Sequence, residues 1–181
     1  MMHAAEKEGL HVIWDICHYG WPDDINIFRP AFIDRIAAYT RAFVRLHVEV
    51  TGRVPWIAPV NEISFFAWAG GQIAMFNPSS KYRGDDLKAQ LVRATIACIE
   101  AAWETAPGTR IVHTDPLINV IGDPESKRAQ NRAEAYHHAQ YQAFDMISGR
   151  WKPELGGKPE YLDLIGLNYY PNVNRDRRTQ R

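Results

Sequence analysis

The sequence predicts an α/β fold built from parallel strand–helix–strand units. Four short apolar runs alternate with three longer stretches of helical periodicity, a pattern typical of such units. The apolar runs recur at similar intervals and are centred on Trp14, Ile57, Val112 and Ile165. Because no linker divides the 181 residues, the pattern indicates one domain. A doubly wound sheet and a (β/α)8 barrel both satisfy this alternation.

Each predicted strand is a short run of aliphatic, β-branched or aromatic residues. The first spans 10–17 and follows a glycine. The second spans 54–60, although two prolines lower its strand propensity. The third spans 109–113, and the fourth, 162–168, comes shortly after a pair of glycines.

Three helices are predicted between these strands. The first begins at Pro30 and stops at Gly52, since proline is favoured at a helix start and glycine just past its end. The second begins at Asp85 and ends before Pro107. The third spans 127–148, and its inward face is predicted to comprise Ala133, Tyr136, Ala143, Phe144 and Ile147.

Charge and hydropathy exclude several classes of protein. The 21 Lys and Arg balance the 21 Asp and Glu, so the chain has no net positive field to hold nucleic acid or an anionic membrane. Its apolar runs fall far short of the roughly 20 residues that a membrane span needs. The first residues lack the apolar region of a secretory signal, and a cytoplasmic location is therefore expected.

No cofactor and no metal site are predicted. The sequence has neither glycine-rich phosphate-binding motif, and its two cysteines, Cys17 and Cys98, are too few for a zinc site. His137 and His138 are adjacent but lack a third ligand. The aromatic content of 12% is compatible with stacking surfaces for sugar rings, or with a large core alone.

Polar and aromatic side chains follow every predicted strand. The carboxyl ends of parallel strands meet at one edge of a sheet, where α/β proteins place their chemistry. Core packing explains such convergence poorly, because buried polar groups cost free energy unless they are satisfied. The residues concerned are Asp15, His18, Tyr19, Trp21, Asn61, Glu62, Phe65, Phe66, Trp68, His113, Asp115, Asn168, Tyr169 and Tyr170.

Three segments resemble motifs of family 1 glycoside hydrolases, the β-glucosidase and β-galactosidase group, or of the wider clan of retaining (β/α)8 glycosidases. Segment 17–22, Cys-His-Tyr-Gly-Trp-Pro, is similar to the third-strand motif of that family. Segment 59–62, Pro-Val-Asn-Glu, resembles the Asn-Glu pair that ends the fourth strand. Segment 163–171 resembles the sixth-strand motif, and the three occur in the order of the family. Ile63 departs from the pattern, since the family usually has proline there.

The resemblance implies a partial (β/α)8 TIM barrel over residues 1–181, with about strands three to six and their helices. Residues 174–181 are polar and basic and are expected to form a frayed tail. The nucleophile of the family follows its seventh strand, so the resemblance places the nucleophile outside this chain. A half barrel exposes two sheet edges, and self-association through these open edges is an expected consequence.

The resemblance also implies a role for each site residue on a β-glycoside substrate. Glu62 is expected to be the general acid/base and Tyr170 to contact the nucleophile. Asn61 and His18 are expected to bind hydroxyls of one sugar ring. Asn168 points the same way as Tyr170, because residues two apart share one face of a strand. Stacking walls are expected from Trp21 and Trp68, together with Phe66.

Three functions stay open at this point. The chain is part of a glycosidase that is active only as a complete barrel, or it is a carbohydrate-binding or scaffold fragment without turnover. In the third alternative it is an unrelated α/β binding module. Burial of Glu62 beside Tyr170 and His18 at one sheet edge favours the first two over the third, since such residues share a sugar-sized pocket.

Overall fold

The computed structural model describes residues 1–170, which contain a four-stranded parallel sheet. Its strands are β1 (Ile13–Asp15), β2 (Trp56–Ala58), β3 (Arg110–Pro116) and β4 (Leu164–Asn168), and they lie side by side in chain order. A doubly wound sheet reverses its strand order at a switch point, whereas a barrel does not. The sequential order therefore favours winding of the barrel type. The tail predicted at 174–181 lies outside the described residues.

Two long helices, Pro30–Thr51 and Gly84–Thr105, cover one face of this sheet. The helical elements are α1 (Met2–Lys7), α2 (Pro30–Thr51), α3 (Ile63–Phe66), a π-helical turn (Ala67–Gln72), α4 (Gly84–Thr105), α5 (Lys127–Ala139), α6 (Gln142–Ile147) and the 3-10 turns Pro153–Leu155 and Pro159–Tyr161. The predicted ends of α2 are confirmed: Pro30 is its first residue, and Gly52 follows its last with a left-handed φ of 68°. Gly52 N donates to Val48 O over 2.8 Å and closes the final turn.

The strands differ in length from those predicted. Pro55 and Pro59 bracket β2 and lack the N–H that a sheet ladder needs, so this strand keeps three residues instead of seven. β1 pairs only with β2 and is limited to the same three-residue register. β3 extends beyond the predicted 109–113 because five of its residues pair with β4.

The prediction of one continuous helix over 127–148 is wrong. The chain breaks between α5 and α6, where the side chain of Gln140 bonds to the loop that follows β3. Gln140 Oε1 accepts from Ile118 N at 3.0 Å, and its Nε2 donates to Ile118 O at 3.2 Å. Of the predicted inward face, Tyr136 is exposed, because α5 buries little beyond Ala133. The other predicted residues, Ala143, Phe144 and Ile147, are buried on α6.

The apolar core lies between the sheet and helices α2 and α4. Its fully buried members come from strands and helices alike and include Phe32, Val44, Ile57, Phe66, Leu87, Leu91, Ile99 and Ile111. These contacts hold the carboxyl ends of β1, β2 and β3 in fixed register, which sets the positions of the side chains that follow them.

Both outer strands present apolar side chains that no described residue covers. On β4, Ile165 is 57% exposed and Leu167 is 55% exposed. Ile13 of β1 is half exposed as well. The strands of a parallel sheet are normally covered on both faces of the sheet. None of the helices within residues 1–170 is long and apolar enough to cross a membrane.

An ion pair joins the amino-terminal ends of β3 and β4. Asp163 accepts from Nε and Nη2 of Arg110, each at 2.8 Å, and from Ile111 N at 2.9 Å. The bonds from Arg110 are the main cause that lowers the pKa of Asp163. The stabilisation is therefore present above the ordinary pKa of an aspartate and is lost as the pH falls through the lowered one.

We expect Asp163→Asn to reduce the free energy of unfolding by about 1 kcal/mol at pH 7, the scale of a partly exposed charge-assisted pair. The difference from the original protein stays nearly full at pH 5 and shrinks in urea titrations at pH 3 and below, as the original carboxylate takes up a proton. Asp24→Asn is the control, because Asp24 and Arg35 form a pair at 3.9 Å in which both side chains are exposed. A difference that stays constant with pH contradicts the assignment.

Candidate active site

Glu62 lies at the carboxyl end of β2 in a left-handed turn. Its φ is 52° and its ψ is 58°, a conformation that few residues other than glycine adopt. Glu62 N donates to Thr114 O at 2.9 Å, and Glu62 O accepts from Phe66 N at 2.8 Å. Asn61 N donates to Cys17 O at 3.0 Å. The turn is thus held from β3, from the segment after β1 and from α3, which offsets the strain of its backbone.

Three donors converge on the Glu62 carboxyl group, which is only 4% exposed. Tyr19 Oη donates to Oε2, and Asn168 Nδ2 donates to Oε1 at 2.6 Å. Tyr170 Oη lies 3.4 Å from Oε1. These donors come from the segments after β1 and β4 and satisfy a buried carboxylate. Burial, followed by the bond to Glu62, raises the pKa of Tyr19, and the charge of Glu62 raises the pKa of Tyr170.

Asn61 links the donors to one another. Its Oδ1 accepts from Thr114 Oγ1 at 2.8 Å and from Asn168 Nδ2 at 3.2 Å. Its Nδ2 donates to Tyr19 Oη at 3.2 Å. The structure therefore brings together four of the sequence-predicted site residues, namely Asn61, Glu62, Asn168 and Tyr170, in one hydrogen-bonded network.

His18 lies at the rim of this network. Its Nδ1 is 2.7 Å from Asp15 Oδ2, and its side chain is 56% exposed. The imidazole packs on the ring of Tyr19 with centroids 4.7 Å apart. Since Nδ1 is engaged by Asp15, Nε2 is the nitrogen left for a ligand. The side chain of Asp15 thus has a histidine of the rim as its partner.

Of the three predicted stacking residues, Phe66 is fully buried in the core and offers no face to a ligand, whereas Trp21 and Trp68 are partly exposed and pack against other rings. Trp21 packs against Phe32 and Phe66, with centroids 6.1 and 5.8 Å away, and its Nε1 donates to Ile25 O at 2.9 Å. Trp68 neighbours Phe65 at 5.9 Å, and Phe65 in turn lies 6.0 Å from Tyr19. Trp68 therefore reaches the network through one intervening ring, and Trp21 belongs to the edge of the core.

Sequence reasoning missed the two residues that complete the network. Tyr19 directly follows His18 and was counted among the strand-end residues, but it was given no role. Its φ of 63° turns the ring back toward Glu62, and no propensity rule predicts a left-handed tyrosine. Thr114 has no sequence signal besides its position in β3. His113 lies outside the network, since its Nε2 is 2.7 Å from Tyr161 O. Burial lowers the pKa of this histidine.

The site contains no arrangement typical of a metal centre. Across residues 1–170, no three His, Cys, Asp or Glu side chains converge as a set of metal ligands. The hydrogen-bonded network consists instead of the Glu62 carboxyl group, two phenols, two amides and the Thr114 hydroxyl. Such a set binds hydroxyl groups and moves a proton.

Known structures share this fold over most of the chain. The family 1 β-glucosidase from Thermotoga maritima aligns with a TM-score of 0.76 at 18% identity, covering 93% of this chain and 43% of that one. The same β-glucosidase in complex with glucoimidazole aligns with a TM-score of 0.74, again at 18% identity and the same coverage. The AHE enzyme from Alicyclobacillus herbarius gives 0.74 at 13% identity, also with 93% and 43% coverage.

The likeness is one of fold rather than of sequence. No protein-family profile and no curated protein matches the chain. The chain spans less than half the length of the enzymes that it matches in structure. The resemblance seen in the three sequence segments is confirmed at the level of fold: the described chain has the architecture of part of a family 1 β-glucosidase.

Proposed function

We propose that this chain carries the acid/base half of a retaining β-glycosidase site and forms about strands three to six of a (β/α)8 barrel. One observation supports this function above the others. Glu62 is buried at the carboxyl edge of a parallel sheet, and its two oxygens accept from Tyr19, Asn168 and Tyr170. A fold alone hosts many activities, so the proposal depends on this geometry.

In the proposed reaction, protonated Glu62 gives its proton to the glycosidic oxygen while the bond from that oxygen to the anomeric carbon breaks. A carboxylate from a further strand of the complete barrel forms a bond to the anomeric carbon on the opposite face. The alcohol leaves, and Glu62 is left as a carboxylate. Glu62 then takes a proton from water, whose oxygen displaces the nucleophile and releases the sugar.

The other residues are proposed to bind and orient the sugar ring. Asn61 offers the second hydrogen of its amide to a ring hydroxyl, and His18 offers Nε2 to a hydroxyl at the rim. Asn168 holds Oε1 of Glu62 in place, and Tyr170, which contacts Oε1 at 3.4 Å in this structure, is proposed to turn its hydroxyl to the nucleophile when the barrel is complete. Trp68 is proposed as the outer stacking wall, while Trp21 packs on Phe66 at the edge of the core.

The proposed substrates are β-glycosides, because the matched Thermotoga maritima β-glucosidase is seen in complex with glucoimidazole and with deoxynojirimycin. A second candidate is a carbohydrate-binding or scaffold fragment without turnover. It is favoured by the partial match, which reaches only 43% of the length of those enzymes. Further barrel strands, or a second copy of the chain, are proposed to cover the open edges at β1 and β4.

Glucoimidazole, a glucose-shaped imidazole, tests whether the chain recognises a sugar ring at this site. In NMR titrations we expect the largest amide shifts at residues 18–19, 61–62 and 168, with a dissociation constant of about 1 mM for a half site. Asn61→Ala should weaken binding roughly tenfold, the cost of one lost hydrogen bond to a ligand. Asn131→Ala, an exposed position on α5, is the matched control. Equal binding by both variants contradicts the proposed site.

A further inference from the structure

A second buried carboxyl group lies behind Glu62, and the proposed reaction does not use it. Asp115 is the sixth residue of β3 and is 2% exposed. Its Oδ1 and Oδ2 accept from Ser64 N at 3.1 and 3.2 Å, and Oδ2 also accepts from Ser64 Oγ at 2.8 Å. Ser64 is two residues beyond Glu62. Asp115 therefore fixes the chain at the first turn of α3, directly after the left-handed residue.

Consecutive residues of β3 hold both sides of the Glu62 turn. Thr114 O accepts from the N–H of Glu62 itself, and Asp115 accepts from Ser64. A left-handed conformation is unfavourable for a residue other than glycine and persists only where its surroundings determine it. The contacts of Asp115 with Ser64 help to keep this turn in place and so direct the Glu62 carboxyl group toward Tyr19 and Asn168.

Two charged groups face Asp115 from the elements packed against it. Glu62 precedes α3, and its negative charge raises the pKa of Asp115, while Lys88 of α4 lowers it. Burial is the largest influence and brings the pKa of Asp115 to about 7, although the bonds from Ser64 oppose the rise. Lys88 is itself buried and donates to Gln142 Oε1 at 2.7 Å. Asp115 therefore changes charge near neutral pH.

We propose that Asp115 is a positioning residue for Glu62, which it acts on by holding the Glu62 turn through its three contacts with Ser64. The proposal rests on the acid/base role proposed for Glu62, but it concerns a residue that touches neither substrate nor nucleophile. An ionised Asp115 is a strong acceptor for both Ser64 donors. The negative charge of Glu62 raises the pKa of Asp115, so the charge of Asp115 is sensitive to that of Glu62.

Carbon-13 NMR of the aspartate carboxyl carbons tests this sensitivity without any enzyme assay. In the original chain, the Asp115 signal titrates near pH 7. Glu62→Gln removes the facing negative charge and lowers this midpoint by roughly half a pH unit or more. Lys88→Met removes the facing positive charge and raises it. Glu49→Gln, at an exposed position of α2, leaves it unchanged. An Asp115 midpoint near 4, or one identical in the original chain and in Glu62→Gln, overturns the proposal.

The pH dependence of stability supplies a second readout. Because the folded state binds the Asp115 proton more tightly than the unfolded state, Asp115 favours folding below pH 4, and this contribution is lost as the pH rises through about 7. The urea midpoint of Asp115→Asn should therefore gain on that of the original chain between pH 4 and pH 7. A difference that is constant over this range contradicts the assigned proton.

This chain joined to the further barrel strands that the proposed function requires is called the barrel-complete protein. Its kinetics distinguish a positioning role of Asp115 from a purely structural one. Asp115→Asn and Ser64→Ala should lower kcat about tenfold with a smaller change in KM, and Ser64→Thr, which keeps both donors, should restore it. Asp115→Asn should also move the alkaline limb of the pH profile, because Glu62 acts as a protonated acid. If Glu62→Gln leaves turnover intact, the proposed function fails whatever Asp115 does. If Glu62→Gln abolishes turnover and Asp115→Asn leaves both kcat and the profile unchanged, only the role of Asp115 fails.

Discussion

Replacing Glu62 with glutamine in the barrel-complete protein should lower turnover of alkyl β-glucosides by about 10²- to 10⁴-fold, the contribution expected of a positioned general acid. An alkoxide is a poor leaving group and needs the proton that glutamine cannot give. Dinitrophenolate leaves without protonation, so the first bond-breaking step on dinitrophenyl β-glucoside should be nearly unaffected. The measurement is kcat/KM on both substrates, with the initial burst of dinitrophenolate followed by stopped flow.

The contrast between the two substrates is what identifies an acid/base. Glu49→Gln makes the same chemical change at an exposed position of α2 and should leave both rates unchanged. Equal losses on both substrates indicate that Glu62 supports the fold or binds the sugar without transferring a proton. Unchanged turnover of the alkyl glucoside removes Glu62 from the mechanism.

Replacing Phe66 with alanine should lower the free energy of unfolding by about 3–5 kcal/mol, the usual cost of truncating a buried phenylalanine. Phe66 is fully buried on α3. Its ring neighbours Tyr19 at 5.3 Å, Trp21 at 5.8 Å and Phe76 at 5.8 Å. The cavity lies beneath Tyr19, so the substitution should also loosen the donor to Oε2 of Glu62 and weaken glucoimidazole binding.

Urea unfolding of the chain measures this loss. Tyr39→Ala is the control, since Tyr39 is an aromatic residue on α2 that is more than half exposed and lies away from the site. We expect it to cost well under half of the Phe66→Ala effect. Equal midpoints for the two variants contradict the placement of Phe66 at the centre of the aromatic cluster.

Local signals predicted the order of the elements and the ends of α2, because helix termini depend on neighbouring residues, whereas the strand lengths depend on pairing between distant segments. Pro30 and Gly52 predict the ends of α2, since proline suits the first turn and glycine suits a left-handed position. The break between α5 and α6 was missed, because it depends on Gln140 and a loop more than 20 residues earlier in the chain. Such long-range bonds leave no periodic pattern in the sequence.

The residues of the candidate site also fall into a predicted group and a group that the sequence did not reveal. Asn61, Glu62, Asn168 and Tyr170 were predicted from motifs at strand ends, and their side chains meet in one network. Tyr19, Thr114 and Asp115 were not assigned to it. Their contribution depends on left-handed turns and on the parallel pairing of β2, β3 and β4, which position residues far apart in sequence.

A crystal structure of the protein with glucoimidazole tests the central claim most directly. The imidazole nitrogen of this compound takes the place of the glycosidic oxygen. The account predicts the sugar-like ring among His18, Asn61 and Glu62, with a Glu62 carboxyl oxygen about 3 Å from that nitrogen. A ligand bound elsewhere, with Glu62 still engaged by Tyr19, Asn168 and Tyr170, contradicts the assignment of Glu62 as the acid/base of a β-glycosidase.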